Sequence, residues 1–140
     1  QTDDGGYVII GHTNSYGNGN NDAYLVKTDD QGNQLWAQTF GGIGTDQGRF
    51  VVQTLDQGFI ISGYSDTIGE SSSFNFWLVK TGPLGNMEWQ RSYGSIGDDR
   101  ALAGIQTSDG GYAIAGYGNL NGTGPPDIKI IKTDDHGFTN

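Results

Sequence analysis

Among the side chains able to do chemistry, the paired acids of two turns come first. Asp29-Asp30-Gln31-Gly32 and Asp134-Asp135-His136-Gly137 each set two carboxylates ahead of a glycine. Clustered oxygens are what Ca²⁺ takes. Both segments fall short of the Asp-x-Asp-x-Asp-Gly loop spacing. The matching stretch between them, Gly82-Pro83-Leu84-Gly85, carries no acid. A hairpin turn, in which Asp tolerates turn geometry and glycine supplies a positive φ, accounts for these positions. No metal site is therefore assigned, and calcium is not expected to be required for folding. Asp46 and Asp99 form a second pair. Glycoside chemistry needs two carboxylates at one bond, whereas these two belong to successive repeat units, which argues against catalysis. With Lys27, Lys80 and Lys132, each ending a matching strand, they read as a repeated cross-strand ion pair or a turn cap. His12 and His136 do not match each other and lack the partners a catalytic base or metal pair needs. No Gly-x-Ser-x-Gly elbow, phosphate-binding loop or dinucleotide fingerprint occurs. No catalytic residue and no cofactor is assigned.

Two further signals concern binding. Trp36 and Trp89 could be stacking platforms for sugars, but they recur at one position of a repeated strand, where filling the space between sheets is expected. They are read as largely buried and equivalently placed. Asn121-Gly122-Thr123 is a formal glycosylation sequon in an expected loop.

These residues sit on a threefold repeat. Gln1-Thr2-Asp3-Asp4-Gly5-Gly6-Tyr7 returns as Gln53-Thr54-Leu55-Asp56-Gln57-Gly58-Phe59 and as Gln106-Thr107-Ser108-Asp109-Gly110-Gly111-Tyr112, at offsets of 52 and 53 residues. Tyr24-Leu25-Val26-Lys27-Thr28 answers to Trp77-Leu78-Val79-Lys80-Thr81 and to Lys129-Ile130-Ile131-Lys132-Thr133. A third block, with Trp36 and Trp89, occurs twice. The units are 1–52, 53–105 and a partial 106–140 in one segment, 1–140. Each unit offers four short strands bounded by Gly, Asn or Asp, and no window has a helical period. In chain order they are strand a (49–53, 100–106), strand b (6–12, 58–64, 111–117), strand c (23–29, 75–81, 127–133) and strand d (34–40, 87–93).

Strands b and c run nearly solidly apolar, as in Tyr7-Val8-Ile9-Ile10 and Phe76-Trp77-Leu78-Val79. Such runs imply burial on both faces. Four-stranded antiparallel blades of about 52 residues stacked around an axis, as in a β-propeller, satisfy this. A β-sandwich competes but needs no repeat, and β-solenoid coils are shorter.

Composition narrows the class. Twenty-five glycines without a three-residue period exclude collagen, and the aromatics and branched aliphatics exclude disorder. Seven basic and 16 acidic residues give a net charge of −9, which repels nucleic acid and anionic lipid. No apolar run reaches membrane-spanning length, so no membrane insertion is expected. There is no cysteine, hence no disulfide or thiolate site.

The pattern D-G-G-Y-x-x-x-G, then K-T-D-x-x-G-x-x-x-W, then G-x-D-x-x-x-x-V-x-Q-T resembles repeats of large secreted and surface proteins of bacteria and archaea. The resemblance spans essentially the whole chain. It implies an all-β, β-propeller-type architecture, in spirit like the kelch and quinoprotein types. It also implies an extracellular or cell-surface scaffold, adhesion or binding module with a protein or glycan ligand. A lectin-like propeller and a segment of a larger propeller enzyme are the alternatives. The b–c connections diverge among units while the strands agree, so binding is expected there, at Tyr16, Ile68 and Phe74. The strand order b-c-d, a-b-c-d, a-b-c makes only the middle blade whole. Closed propellers need at least about four blades, so this chain holds an incomplete ring, with further blades or other chains of the same repeat protein covering its ends.

Overall fold

Short apolar runs punctuated by glycine, Asn and Asp favour antiparallel hairpins, and that is what forms. The structure is a computed structural model that describes residues 1–69, 73–94, 96–119 and 124–139. The described residues form ten strands: β1(Tyr7–Thr13), β2(Asp22–Thr28), β3(Gln34–Phe40), β4(Asp46–Gln53), β5(Phe59–Ser65), β6(Asn75–Thr81), β7(Met87–Tyr93), β8(Asp99–Gln106), β9(Tyr112–Gly118) and β10(Asp127–Thr133). They make three antiparallel sheets, ordered β1-β2-β3, β4-β5-β6-β7 and β8-β9-β10. No helix occurs among the described residues, and none is long and apolar enough to cross a membrane. The Asn121 sequon lies outside the described residues.

Register repeats with the sequence. Tyr7 pairs with Thr28, Phe59 with Thr81 and Tyr112 with Thr133. Nine of the ten strands begin within one residue of expectation. The main departure is β4, which starts at Asp46 instead of residue 49. Its pairing to β5 shifts register between Gly48 and Phe50, and β8 shifts likewise between Ala101 and Ala103. A bulge adds one residue and breaks the period-two signal, so the first turn of strand a hides behind it.

Side chains alternate across the middle sheet. Phe59, Ile61, Trp77 and Val79 pack against Ala23, Leu25 and Phe40 of the first sheet. Ile60, Phe76 and Leu78 pack against Ala101, Tyr112 and Ile114 of the third. Every residue of β5 and β6 is buried, which is why those strands lack polar alternation. The outer sheets bury one face each.

The sheets approach most closely where β4 lies on β1 and β8 lies on β5 and β4. Glycine makes this possible: a Cβ at Gly48 would lie 2.3 Å from Ile10 Cγ1 of the first sheet, and one at Gly104 would lie 3.1 Å from Ser62 Oγ of the middle sheet. At the far side of each sheet, on β3 and β7, stand Trp36 and Trp89. They occupy equivalent places, edge-on to Phe59 at 5.8 Å and to Tyr112 at 5.6 Å. Both pack between neighbouring sheets as expected, mostly covered but with an open margin, because β3 and β7 are edge strands. The indole that is fully buried is Trp77, whose Nε1 donates to Gln90 Oε1 at 3.0 Å.

Candidate functional site

The a–b turns repeat one arrangement. Thr2, Thr54 and Thr107 donate their hydroxyls to Asp4, Asp56 and Asp109. Lys27, Lys80 and Lys132 reach across from strand c to the same three carboxylates at 2.9, 2.8 and 2.9 Å. Each ammonium also donates to the carbonyl of the following threonine. The expected ion pair thus exists with these aspartates, not with Asp46 and Asp99. Hydrogen bonds from Thr2, Lys27 and Gly6 hold the Asp4 carboxyl well below its usual range, and those from Lys132, Thr107 and Gly111 do so for Asp109. At Asp56, burial opposes the shift, yet Lys80 and Thr54 bring it down to about 2.

Asp46 caps a turn instead. Its carboxylate accepts from the Gly42 amide at 2.8 Å and from the Thr67 hydroxyl. Asp99 sits 3.2 Å from the Lys129 ammonium. Asp29 and Asp134 are turn acceptors too: Asp29 takes the amides of Gln31 and Asn33, and Asp134 those of His136 and Phe138. Asp134, Asp135 and His136 offer ligand atoms within 4.8 Å of one another, all exposed. The Asp134 carboxylate is already engaged in the turn, so the group assigns no metal.

Neighbouring sheets are tied at this end by glutamine. The amide of Asp3 donates to Gln53 Oε1 at 2.8 Å, and that of Leu55 to Gln106 Oε1 at 2.9 Å. Gln57 adopts φ 67°, the one positive value among described non-glycine residues, where the sister turns have Gly5 and Gly110. Its side chain donates to Asp3 Oδ2 at 3.0 Å and accepts from Gln53 at 3.1 Å, ties that offset the strain.

Between the middle and third sheets, at the turn end, opens a groove of about 390 Å³ lined by Asp56, Lys80, Glu88, Trp89, Tyr112, Asp135 and His136, among others. Lys80 is buried and bonded to both Asp56 and Glu88 (3.2 Å). The carboxylates of Asp56, Glu88 and Asp135 are about half exposed or more. Burial, with the nearby charges of Asp56, Asp135 and Glu88, pushes the Tyr112 phenol up to about 12, so it remains a protonated hydroxyl. At the junction of the first and middle sheets, Leu35 stands at the place of Glu88, Phe59 at that of Tyr112, and Pro83 and Leu84 at those of Asp135 and His136. Sheet stacking is the same at both junctions, so packing alone does not call for the polar set.

The three loop residues expected to bind have different surroundings. Tyr16 is exposed and stacks on Tyr24 at 5.9 Å. Ile68 packs on the first core cluster. Phe74 meets Tyr64 edge-on at 5.1 Å, with the Arg100 guanidinium 4.5 Å from its ring. Two of the three therefore serve packing, and Tyr16 alone is open. Sequence reasoning did not assemble the groove, although its signal was present: apolar positions of one unit become titratable in the next. A scan against protein-family models finds no match, and a search of curated proteins finds none either.

Proposed function

We propose that this chain is a non-catalytic extracellular scaffold or adhesion module built of β-propeller-type blades, and that it binds its ligand in the groove between the middle and third sheets. Three face-stacked sheets with one register and the order a-b-c-d support the architecture. The binding reading rests on one observation. Two junctions of equal geometry differ in that Glu88, Asp135 and His136 replace Leu35, Pro83 and Leu84. A scaffold that needed only to stack would not require that change.

The groove presents three accessible carboxylates around a lysine already paired. Such a surface attracts a basic protein segment. A glycan is the second reading, favoured by carboxylates beside Trp89 and the protonated Tyr112, since sugar hydroxyls donate to carboxylates and sugar faces lie on aromatics. Screening against a glycan array and a set of basic peptides separates the two. The triple variant Glu88→Leu, Asp135→Pro, His136→Leu copies the first junction, so it should change stability by less than about 0.5 kcal/mol while abolishing binding. Binding retained by that variant and lost in Tyr16→Ala would move the site to the b–c loops.

A further inference from the structure

At the loop end of the first junction, two buried carboxylates from different sheets meet. Asp22 opens β2 and is 2 % exposed; Asp46 opens β4 and is 0 % exposed. A Cβ at Gly41 would lie 2.4 Å from Asp22 Oδ1 and 2.7 Å from Asp46 Oδ2. Glycine there leaves both oxygens uncovered, and both face one point. The two acids are not equally satisfied. Asp46 accepts from the Gly42 amide and from the Thr67 hydroxyl. Asp22 Oδ2 accepts from the Gly19 amide at 3.0 Å, while Asp22 Oδ1, which faces the same point as Asp46 Oδ2, accepts no hydrogen bond from a described residue. No Lys, Arg or His among the described residues pairs with either acid. Two buried carboxylates without a counter-charge are costly.

The second junction builds the same cluster with a cation in it. Asn75 takes the place of Asp22, Asp99 that of Asp46 and Gly94 that of Gly41. There the Lys129 ammonium stands 3.2 Å from Asp99 Oδ2, the oxygen that a Cβ at Gly94 would meet at 2.9 Å. At the first junction Trp77 holds the place of Lys129, and its one polar hydrogen goes to Gln90. The second cluster thus carries one carboxylate and one ammonium. The first carries two carboxylates and no ammonium.

We propose that the first cluster takes a hard divalent cation, with Ca²⁺ the best fit, bridged between Asp22 Oδ1 of the first sheet and Asp46 Oδ2 of the middle sheet. Anionic, all-oxygen donors select such ions over soft metals. Ca²⁺–oxygen contacts of about 2.3–2.6 Å let a single ion span two oxygens that lie so near one point. Mg²⁺ asks for shorter contacts, about 2.0–2.1 Å, and a stricter octahedron. Water supplies the remaining ligands, so the affinity belongs at the weak end, about 10⁻⁴–10⁻³ M. The ion staples together two sheets whose cores already pack. It raises stability by mass action and is not a condition of folding.

Calorimetric titration with calcium chloride, and thermal denaturation in EDTA or in calcium, test this. The wild-type chain takes up one ion per chain, and its Tm climbs with calcium concentration. Asp22→Asn folds, because its amide oxygen still accepts from Gly19, but it binds calcium at least about tenfold more weakly and its Tm no longer follows calcium. In EDTA, with the ion gone, Asp22→Asn is the more stable of the two, since two like charges no longer face each other. Asp30→Asn removes an exposed acid of a c–d turn and leaves calcium binding as in the wild type. A wild-type chain with neither binding heat nor a Tm shift at about 10 mM calcium overturns the proposal, and is the result expected if the two acids share a proton instead. So does an Asp22→Asn chain that binds as the wild type does, or an Asp30→Asn chain that loses the ion.

Discussion

At the junction of the first and middle sheets, Trp36 meets Phe59 at 61° between ring planes; at the junction of the middle and third, Trp89 meets Tyr112 at the same 61°. What surrounds these pairs differs at both ends of the sheets. The turn end is apolar at the first junction and titratable at the second. At the loop end the first junction sets Asp22 and Asp46, both buried, around Gly41, where a Cβ would lie 2.4 Å from Asp22 Oδ1 and 2.7 Å from Asp46 Oδ2. The second sets Asn75 and Asp99 around Gly94 and brings the Lys129 ammonium to Asp99. Aromatic geometry and glutamine ties are the parts that both junctions keep, so they are what holds sheet to sheet, while the turn ion pairs brace each sheet internally. The polar residues vary around them.

The largest effect should separate core from junction. Trp77→Ala should cost about 3–5 kcal/mol in chemical denaturation, the usual figure for a fully buried aromatic. Trp89→Ala and Trp36→Ala should each cost about half as much, because both rings keep an open margin on edge strands. Equal costs for Trp77 and Trp89 would break the distinction between shared spacer and core. A difference between Trp36 and Trp89 larger than about 1 kcal/mol would break the equivalence of the junctions.

Next in size is the loop end. Asp22→Asn gives the first junction the amide the second already has. It relieves two neighbouring buried carboxylates while keeping an acceptor for the Gly19 amide. Stability should rise by about 1 kcal/mol, read as a shift in denaturation midpoint. A loss of that size would show that both charges are needed.

The smallest effect is acid sensitivity. The Asp56 carboxyl lies lower in the folded chain, at about 2, than in the unfolded one, near 4. Its contribution is therefore complete above pH ~4 and is lost as the pH falls towards ~2. Solvent screening keeps the loss modest, a few degrees in Tm. Asp56→Asn should flatten the Tm profile between these limits. An unchanged profile would show that this turn pair adds nothing to the stability of the middle sheet.

How much of this could be read from the residues follows from where each signal lies. Strand positions and hairpin register came through because each unit repeats the same apolar run, with Thr28, Thr81 and Thr133 closing it at fixed offsets. The start of β4 was hidden because Arg49 sits in a bulge, where alternation fails. The place of Trp36 and Trp89 between sheets came through because they recur at one position of the repeat, whereas the open margin of each ring did not, since that depends on strand order and theirs are edge strands. The groove escaped because Asp56, Glu88 and Asp135 come from three separate turns and strands. Each is an ordinary surface acid until its counterpart in the sister unit is set beside it.

The spacing of the sheets carries a last consequence. Gly48 and Gly104 let neighbouring sheets nearly touch along β4 and β8, while indoles on β3 and β7 hold them apart at the other side. The sheets therefore diverge from a rim of small residues, Gly48 and its counterpart Ala101, towards a rim that carries a tryptophan. Side-chain volume sets the angular step from unit to unit, and hence the curvature of any longer array. A methyl group at Gly48 would press on Ile10 and push the first and middle sheets apart along β4 without altering a single strand.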